Sequence, residues 1–211
     1  LANKWIDITQ PFQNSIATWP GDTPFYFDLA FTKAETGSVN IGRFSTSTHT
    51  GTHADAPYHF QATAPTIEQL DVNVYIGKAL VVDLSDKGSI TTEDVKDLNL
   101  YGAKRVLFKL QAKVDFEKFP DQVPVIHPDI APLLEEKGIV LIGVDCPSVD
   151  ALDSKTLETH HAFYRHGIHI IENLVLQDVI AGLYEFIGLP LKIVGADGAP
   201  VRAVIKKIES T

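Results

Sequence analysis

At 211 residues, 45% of them apolar and 21% charged, the chain is sized and composed for one folded domain spanning 1–211 rather than for a disordered polymer. A net charge of −9 without any Lys/Arg cluster speaks against a nucleic-acid or anionic-membrane partner, and no apolar run is long enough for a transmembrane helix. The one cysteine, Cys146, has no mate for an internal disulfide, which fits a reducing, cytoplasmic setting.

In chain order, the opening "LANKWIDITQPF" lacks the basic start and apolar run of a secretory leader. "TWPGDTP", Thr18 to Pro24, is turn chemistry around Pro20-Gly21. "FYFDLAF" alternates Phe25, Phe27, Leu29 and Phe31 against smaller or polar residues, the pattern of a half-buried strand. "NIGRFSTST" reads as a further strand that runs into a histidine-rich segment. "KALVVDLS", "KRVLFKLQ" and "IVLIGVD" are short apolar strands, and "TTEDVKDL" begins a helix behind its threonines. "HPDIAPLLEEKG" is a short helix, with Pro128 near its start and Gly138 past its end. "SKTLETHHAFYRHG" predicts a helix from about Lys155 to His166, closed by Gly167, and "IHIIENLVL" returns as a strand. The tail "LYEFIGLPLKIVG" and "VRAVIKKI" gives two strands joined by the turn "ADGAP". Many strands with a few helices imply an α/β or α+β fold.

The segment "HTGTHADAPYHF" places His49, His53, Asp55 and His59 at odd positions. Gly51, Pro57 and the threonines oppose a helix, which would also swing Asp55 off the face shared by His49 and His53. An extended or looped chain can instead turn all four donors to one side. Two imidazoles and a carboxylate suit zinc, with manganese or another divalent ion as the alternative. Two plainer readings compete: a hydrogen-bonded turn without metal, and surface residues gathered by chance. The remaining donors are expected in "ETHHAFYRHGIHIIEN", which holds His160, His161, His166, His169 and Glu172. Adjacent His160 and His161 point in different directions on a helix, and the spacing does not choose between them. Glu172 lies in an apolar strand, where a carboxylate is costly unless it is paired or bound to a cation.

These motifs resemble a known family. "HTGTHADAPYHF" is similar to the H-x-G-T-H-x-D-x-P-x-H-F signature of the cyclase-like metal hydrolases. "WIDITQPF", "TWPGDTPF", "GVDCPSVD", "RHGIHIIENLVL" and "GLPLKIVGADGAPVRAVI" extend the likeness over nearly the whole chain. It looks closest to the bacterial kynurenine formamidase (arylformamidase) branch. The resemblance implies a swivelling β/β/α layered architecture, a homodimer, and two zinc ions per subunit. His49, His53 and Asp55 would hold the first ion, and Asp55, His160 and Glu172 the second, with Glu172 bridging both. His59 would be the catalytic histidine and Trp19 a substrate contact. The implied reaction is hydrolysis of N-formyl-L-kynurenine to L-kynurenine and formate, within tryptophan degradation via kynurenine. Cys146 departs from the pattern, standing where a threonine is expected, and reads as a small buried side chain in a turn. His161, His166 and His169 are assigned no role beyond surface or supporting positions, and His127, before Pro128, reads as capping or exposing a helix start.

Other chemistries fit less well. There is no Gly-x-Ser-x-Gly elbow for a serine nucleophile, and "GADGAP" has neither the lysine of a phosphate loop nor dinucleotide spacing. The rival readings are a related amide hydrolase opening a ring such as that of isatin, and a metal-binding module without catalysis.

Overall fold

The apolar runs read as buried strands form the middle of one nine-stranded mixed sheet in a computed structural model that describes residues 4–209. Leu1–Asn3 and Ser210–Thr211, the two ends of the expected domain, lie outside the described residues. In chain order the strands are β1 (Ile6–Asp7), β2 (Tyr26–Phe31), β3 (Ile41–Ser45), β4 (His53–Asp55), β5 (Ile76–Asp83), β6 (Ser89–Ile90), β7 (Arg105–Lys109), β8 (Val125–Ile126), β9 (Leu141–Val144), β10 (His169–Glu172), β11 (Gly182–Ile187), β12 (Gly198–Pro200) and β13 (Val204–Lys207). The helices are α1 (Lys33–Thr36), α2 (Thr92–Val95), α3 (Ile130–Glu136) and α4 (Glu158–Arg165).

The sheet order is β1-β13-β11-β5-β7-β9-β10-β4-β12. Strands β5, β7, β9 and β10 run parallel, while the flanking pairs are antiparallel. Alternation along the parallel strands divides the interior in two. Val106 and Phe108 of β7, Ile142 and Val144 of β9, and Ile170 of β10 pack with Val95, Ile130, Leu134 and Phe163 from α2, α3 and α4. Leu107, Leu141 and Ile171 point the other way, into a core with Ile8, Tyr75, Phe186 and Ile205. Side chains two apart share a face, so strands covered on both faces read as continuous apolar runs. The carboxyl ends of β7, β9 and β10 open on one edge, the usual location of a ligand cleft in parallel sheets.

Several expectations are corrected in detail. The helix expected from Lys155 starts at Glu158, because Leu157 adopts a left-handed backbone (φ 47°) that no helix accommodates. Strand β10 stops at Glu172, because Asn173 turns left-handed (φ 58°). "ADGAP" is more than a turn: its last three residues form β12, paired with β4. The strand expected in "FYFDLAF" exists, but it is not half-buried. It pairs with β3 as a ribbon separate from the main sheet, and Phe27, Leu29, Phe31 and Phe44 are all exposed.

Candidate metal centre and cleft

The histidine segment folds in three short pieces. His49 lies in a turn that Gly51 completes with φ +60°, a conformation glycine adopts without strain. His53 and Asp55 occupy β4, two residues apart and therefore on one face. His59 ends a single 3-10 turn, Pro57–His59, in which Pro57 supplies the fixed φ of a helix start. The expectation of an extended or looped segment rather than a helix holds. Antiparallel pairing then sets Glu172 of β10 directly opposite His53. Helix α4 delivers His160, which is buried, and turns His161 away against the Phe60 ring at 5.2 Å.

Three imidazoles converge on one carboxylate. His49 Nδ1, His53 Nε2 and His160 Nε2 lie 3.0, 3.3 and 3.4 Å from the Asp55 oxygens. The Glu172 oxygens lie 3.5 Å from His53 Nε2 and 3.6 Å from His160 Nε2. The other ring nitrogen of each histidine is held from behind. His49 Nε2 meets Asp197 at 3.0 Å, His53 Nδ1 meets the Gly51 carbonyl at 2.8 Å, and His160 Nδ1 meets Asp150 at 2.6 Å. Fixing one nitrogen of an imidazole selects the tautomer and aims the other nitrogen at the site.

Among the described residues the donors form three groups: His49, His53 and Asp55, and Asp55, His160 and Glu172, which share Asp55, and a more exposed group of His49, His59 and Asp197. Within each group the candidate ligand atoms lie within 4.8 Å of one another. His53 Nε2 and Asp55 Oδ2 are fully buried without a hydrogen-bond partner. Such orphaned polar atoms are costly unless something else binds them. Imidazole nitrogen with carboxylate oxygen is a divalent-cation donor set, and the residues present fit one.

The electrostatics agree. Burial disfavours protonation of His53, yet Asp55 and Glu172 outweigh it and lift the imidazole to about 10. Burial likewise opposes protonation of His49, and Asp197 with Asp55 lifts it to about 9. Burial of His160 is outweighed by Asp150, Asp55 and Glu172. Asp55, although buried, is held well below the usual carboxylate range by His160, His49 and His53. Positive charge is therefore wanted here, and protons and a divalent ion compete to supply it.

A cavity of about 680 Å³ opens above these groups, lined on its inner side by His49, His53, His160 and Glu172 and reaching His59. Trp19 lines its outer wall, edge-on to Phe119 at 5.2 Å. Trp19 stands in the expected Pro20-Gly21 turn, closed by the Asp22 amide donating to the Trp19 carbonyl at 2.9 Å. Trp19 is 41% exposed, so it is not a core residue.

The remaining histidines stay apart from the centre. His166 pairs with Glu135 at 2.6 Å, His169 packs on Tyr75, and His127 donates its amide to the Ile90 carbonyl. Cys146 is fully buried, and its thiol donates to the Ser148 carbonyl at 3.1 Å. Two residues that matter escaped the sequence reading. Asp150 is the last residue of "GVDCPSVD", beyond the end of β9, and Asp197 sits in "GADGAP", which reads as a turn. The signal in both was an acidic residue beside apolar chain; the partners of Asp150 lie 9 and 10 residues on, while His49, the partner of Asp197, lies 148 residues away.

Comparison with known proteins places the chain in context. Residues 6–151 match the family model described as "Putative cyclase". A kynurenine formamidase of Bacillus cereus (strain ATCC 10987 / NRS 248) is 52% identical over 206 residues, covering 98% of this chain and 99% of that one. A solved structure described as a predicted metal-dependent hydrolase from Bacillus stearothermophilus superposes with a TM-score of 0.81 at 29% identity, covering 97% of this chain and 98% of that one. Isatin hydrolase A from Labrenzia aggregata superposes equally well, with a TM-score of 0.81 over 97% of this chain and 93% of that one. At 21% identity that last likeness is one of fold.

Proposed function

The chain belongs to the putative cyclase family, and from that premise we propose that it hydrolyses the formamide of N-formyl-L-kynurenine, yielding L-kynurenine and formate in tryptophan degradation via kynurenine. The observation that carries the reading is the convergence of His49, His53 and His160 on Asp55, beneath a cleft walled by Trp19. The 52% identity to a kynurenine formamidase over nearly the full length selects this substrate over other amides.

In this reading His49, His53 and Asp55 would hold one zinc ion, and Asp55, His160 and Glu172 a second. Glu172 also approaches His53 at 3.5 Å, so its carboxylate would be in reach of both positions. When bound, divalent ions polarise a carbonyl and bring the pKa of water down to about 7. The chain's own residues do the rest. Trp19 and Phe119 offer aromatic faces and edges to the aniline ring, seating the formyl carbon over the centre. His59 takes a proton from the attacking water as the C–O bond forms. It returns that proton to the anilide nitrogen as the C–N bond breaks, because an unprotonated anilide leaves poorly. The whole of 1–211 acts as one domain, in a cytoplasmic homodimer. The exposed apolar ribbon β2–β3 supports the dimer, since a patch of this kind marks an association surface.

Formate release by the zinc-loaded protein tests the proposal. N-formylkynurenine is expected to turn over with a kcat/KM at least about a hundredfold above that for isatin opening, a margin of the size site contacts can supply. Chelation should abolish turnover of both. Preferential isatin opening would point to the ring-opening rival, and no turnover of any aryl formamide would leave a metal-binding module.

A further inference from the structure

His59 shares one acidic neighbour with His49, outside the two donor groups that meet at Asp55. The Asp197 carboxylate is braced at Oδ1 by the Thr48 hydroxyl, which donates to it at 2.8 Å. Its Oδ2 lies 3.0 Å from His49 Nε2 and 3.5 Å from His59 Nδ1. The Asp197 carbonyl accepts the Ala56 amide at 2.9 Å, between His49 and His59 in sequence. Both imidazoles thus lean on one oxygen, with their ring centroids 4.0 Å apart. Gly198 completes the device. A Cβ there would stand 2.8 Å from His49 Cε1 and 3.0 Å from the Ala54 carbonyl, so only glycine lets the Asp197 loop approach this closely.

We infer that Asp197 is the positioning residue of His59: its carboxylate faces Nδ1 as acceptor for the Nδ1–H, fixes the ring, and leaves Nε2 free to exchange a proton in the cleft. An imidazole can accept at one nitrogen only if its proton sits on the other, and a carboxylate behind Nδ1 enforces that tautomer. The shared oxygen also ties the orientation of His59 to that of His49, one wall of the centre. The loop before β12 thereby sets the geometry of a segment far earlier in the chain, His49 lying 148 positions before Asp197. The inference rests on the role of His59 given above.

A double-mutant cycle tests it, using Asp197→Asn, His59→Ala and the combined variant, each at saturating zinc with occupancy checked by elemental analysis. Asp197→Asn is expected to lower kcat by about 10- to 100-fold, the usual effect of removing such a supporting partner, with KM and zinc content unchanged. The combined variant is expected to be no slower than His59→Ala, because a residue that acts through another has nothing left to do once that one is gone. Independently of turnover, ¹⁵N spectra of the zinc-loaded protein should report Nδ1–H at His59 in the parent and a tautomer mixture in Asp197→Asn. Fully additive losses, or a wild-type kcat in Asp197→Asn, would overturn the inference. A His59→Ala variant with wild-type kcat would instead remove the role of His59 itself, and the inference with it.

Discussion

His49 has a carboxylate at each ring nitrogen, a geometry that suits an imidazolium when no cation is bound. The same holds for the charge balance around His53 and His160. The folded-state pKa values of His49 and His53, about 9 and about 10, exceed the ordinary histidine value. Their protons therefore stabilise the metal-free fold fully below about pH 6.5, and that stabilisation is lost as pH rises through 9 to 10. Asp55 has the opposite sign. Its pKa is depressed, so its contribution is present above the ordinary carboxylate range and lost on strong acidification. A divalent ion must displace the imidazole protons. Zinc added to metal-free protein at pH 7.5 is therefore expected to release roughly two or more protons per chain, measured by pH-stat, with affinity falling as pH is lowered. Uptake without proton release would mean that the imidazoles are already neutral and the carboxylates are otherwise compensated.

At the level of elements, the burial of His160 depends on how α4 begins. Its first turn has no capping side chain of its own, since Leu157 precedes it. Asp150, from the loop after β9, substitutes: it accepts the amides of Thr159 at 2.9 Å and His160 at 3.1 Å as well as the His160 ring. A carboxylate over free amides at a helix N-terminus is favourable both as acceptor and as charge. One side chain thus starts the helix and aims a metal ligand. Asp150→Ala leaves three buried donors unpaired and is expected to cost about 2–4 kcal/mol in denaturant unfolding of the metal-free protein. Zinc affinity should weaken by about 10- to 100-fold in direct titration. Stability lost without any change in affinity would limit Asp150 to capping.

For the molecule as a whole, the feature that bears on assembly is the ribbon β2–β3. Phe27 and Phe44 are direct cross-strand partners, and Phe44 is 61% exposed. Exposed aromatic side chains of this size are costly in a solitary chain and are normally covered by a partner. In the proposed homodimer this ribbon is the contact. Phe44→Asp is expected to shift the protein from dimer to monomer in sedimentation velocity at protein concentrations on the order of 10 μM, because a charge in a dry interface weakens association by several kcal/mol. A parent protein that sediments as a monomer would refute the dimer.

Much of the centre was legible in the linear chain because imidazoles and carboxylates are scarce in apolar surroundings and expensive there. "HTGTHADAPYHF" and the glutamate of "IHIIENLVL" betray themselves by composition, and Gly51 and Pro57 exclude a helix before any coordinates exist. The strands β5, β7 and β9 were equally plain, since burial on both faces makes a strand apolar throughout. Apart from the family resemblance, which implied His160, the choice between His160 and His161 needed the tertiary structure, because adjacent helix positions differ only in what packs beside them. So did Asp150, which caps a helix whose start is set by the left-handed Leu157, and Asp197, whose partner His49 lies 148 residues away. The exposure of "FYFDLAF" belongs with these. Alternation specifies that a strand has an apolar face, and the packing of the whole molecule decides what, if anything, covers it.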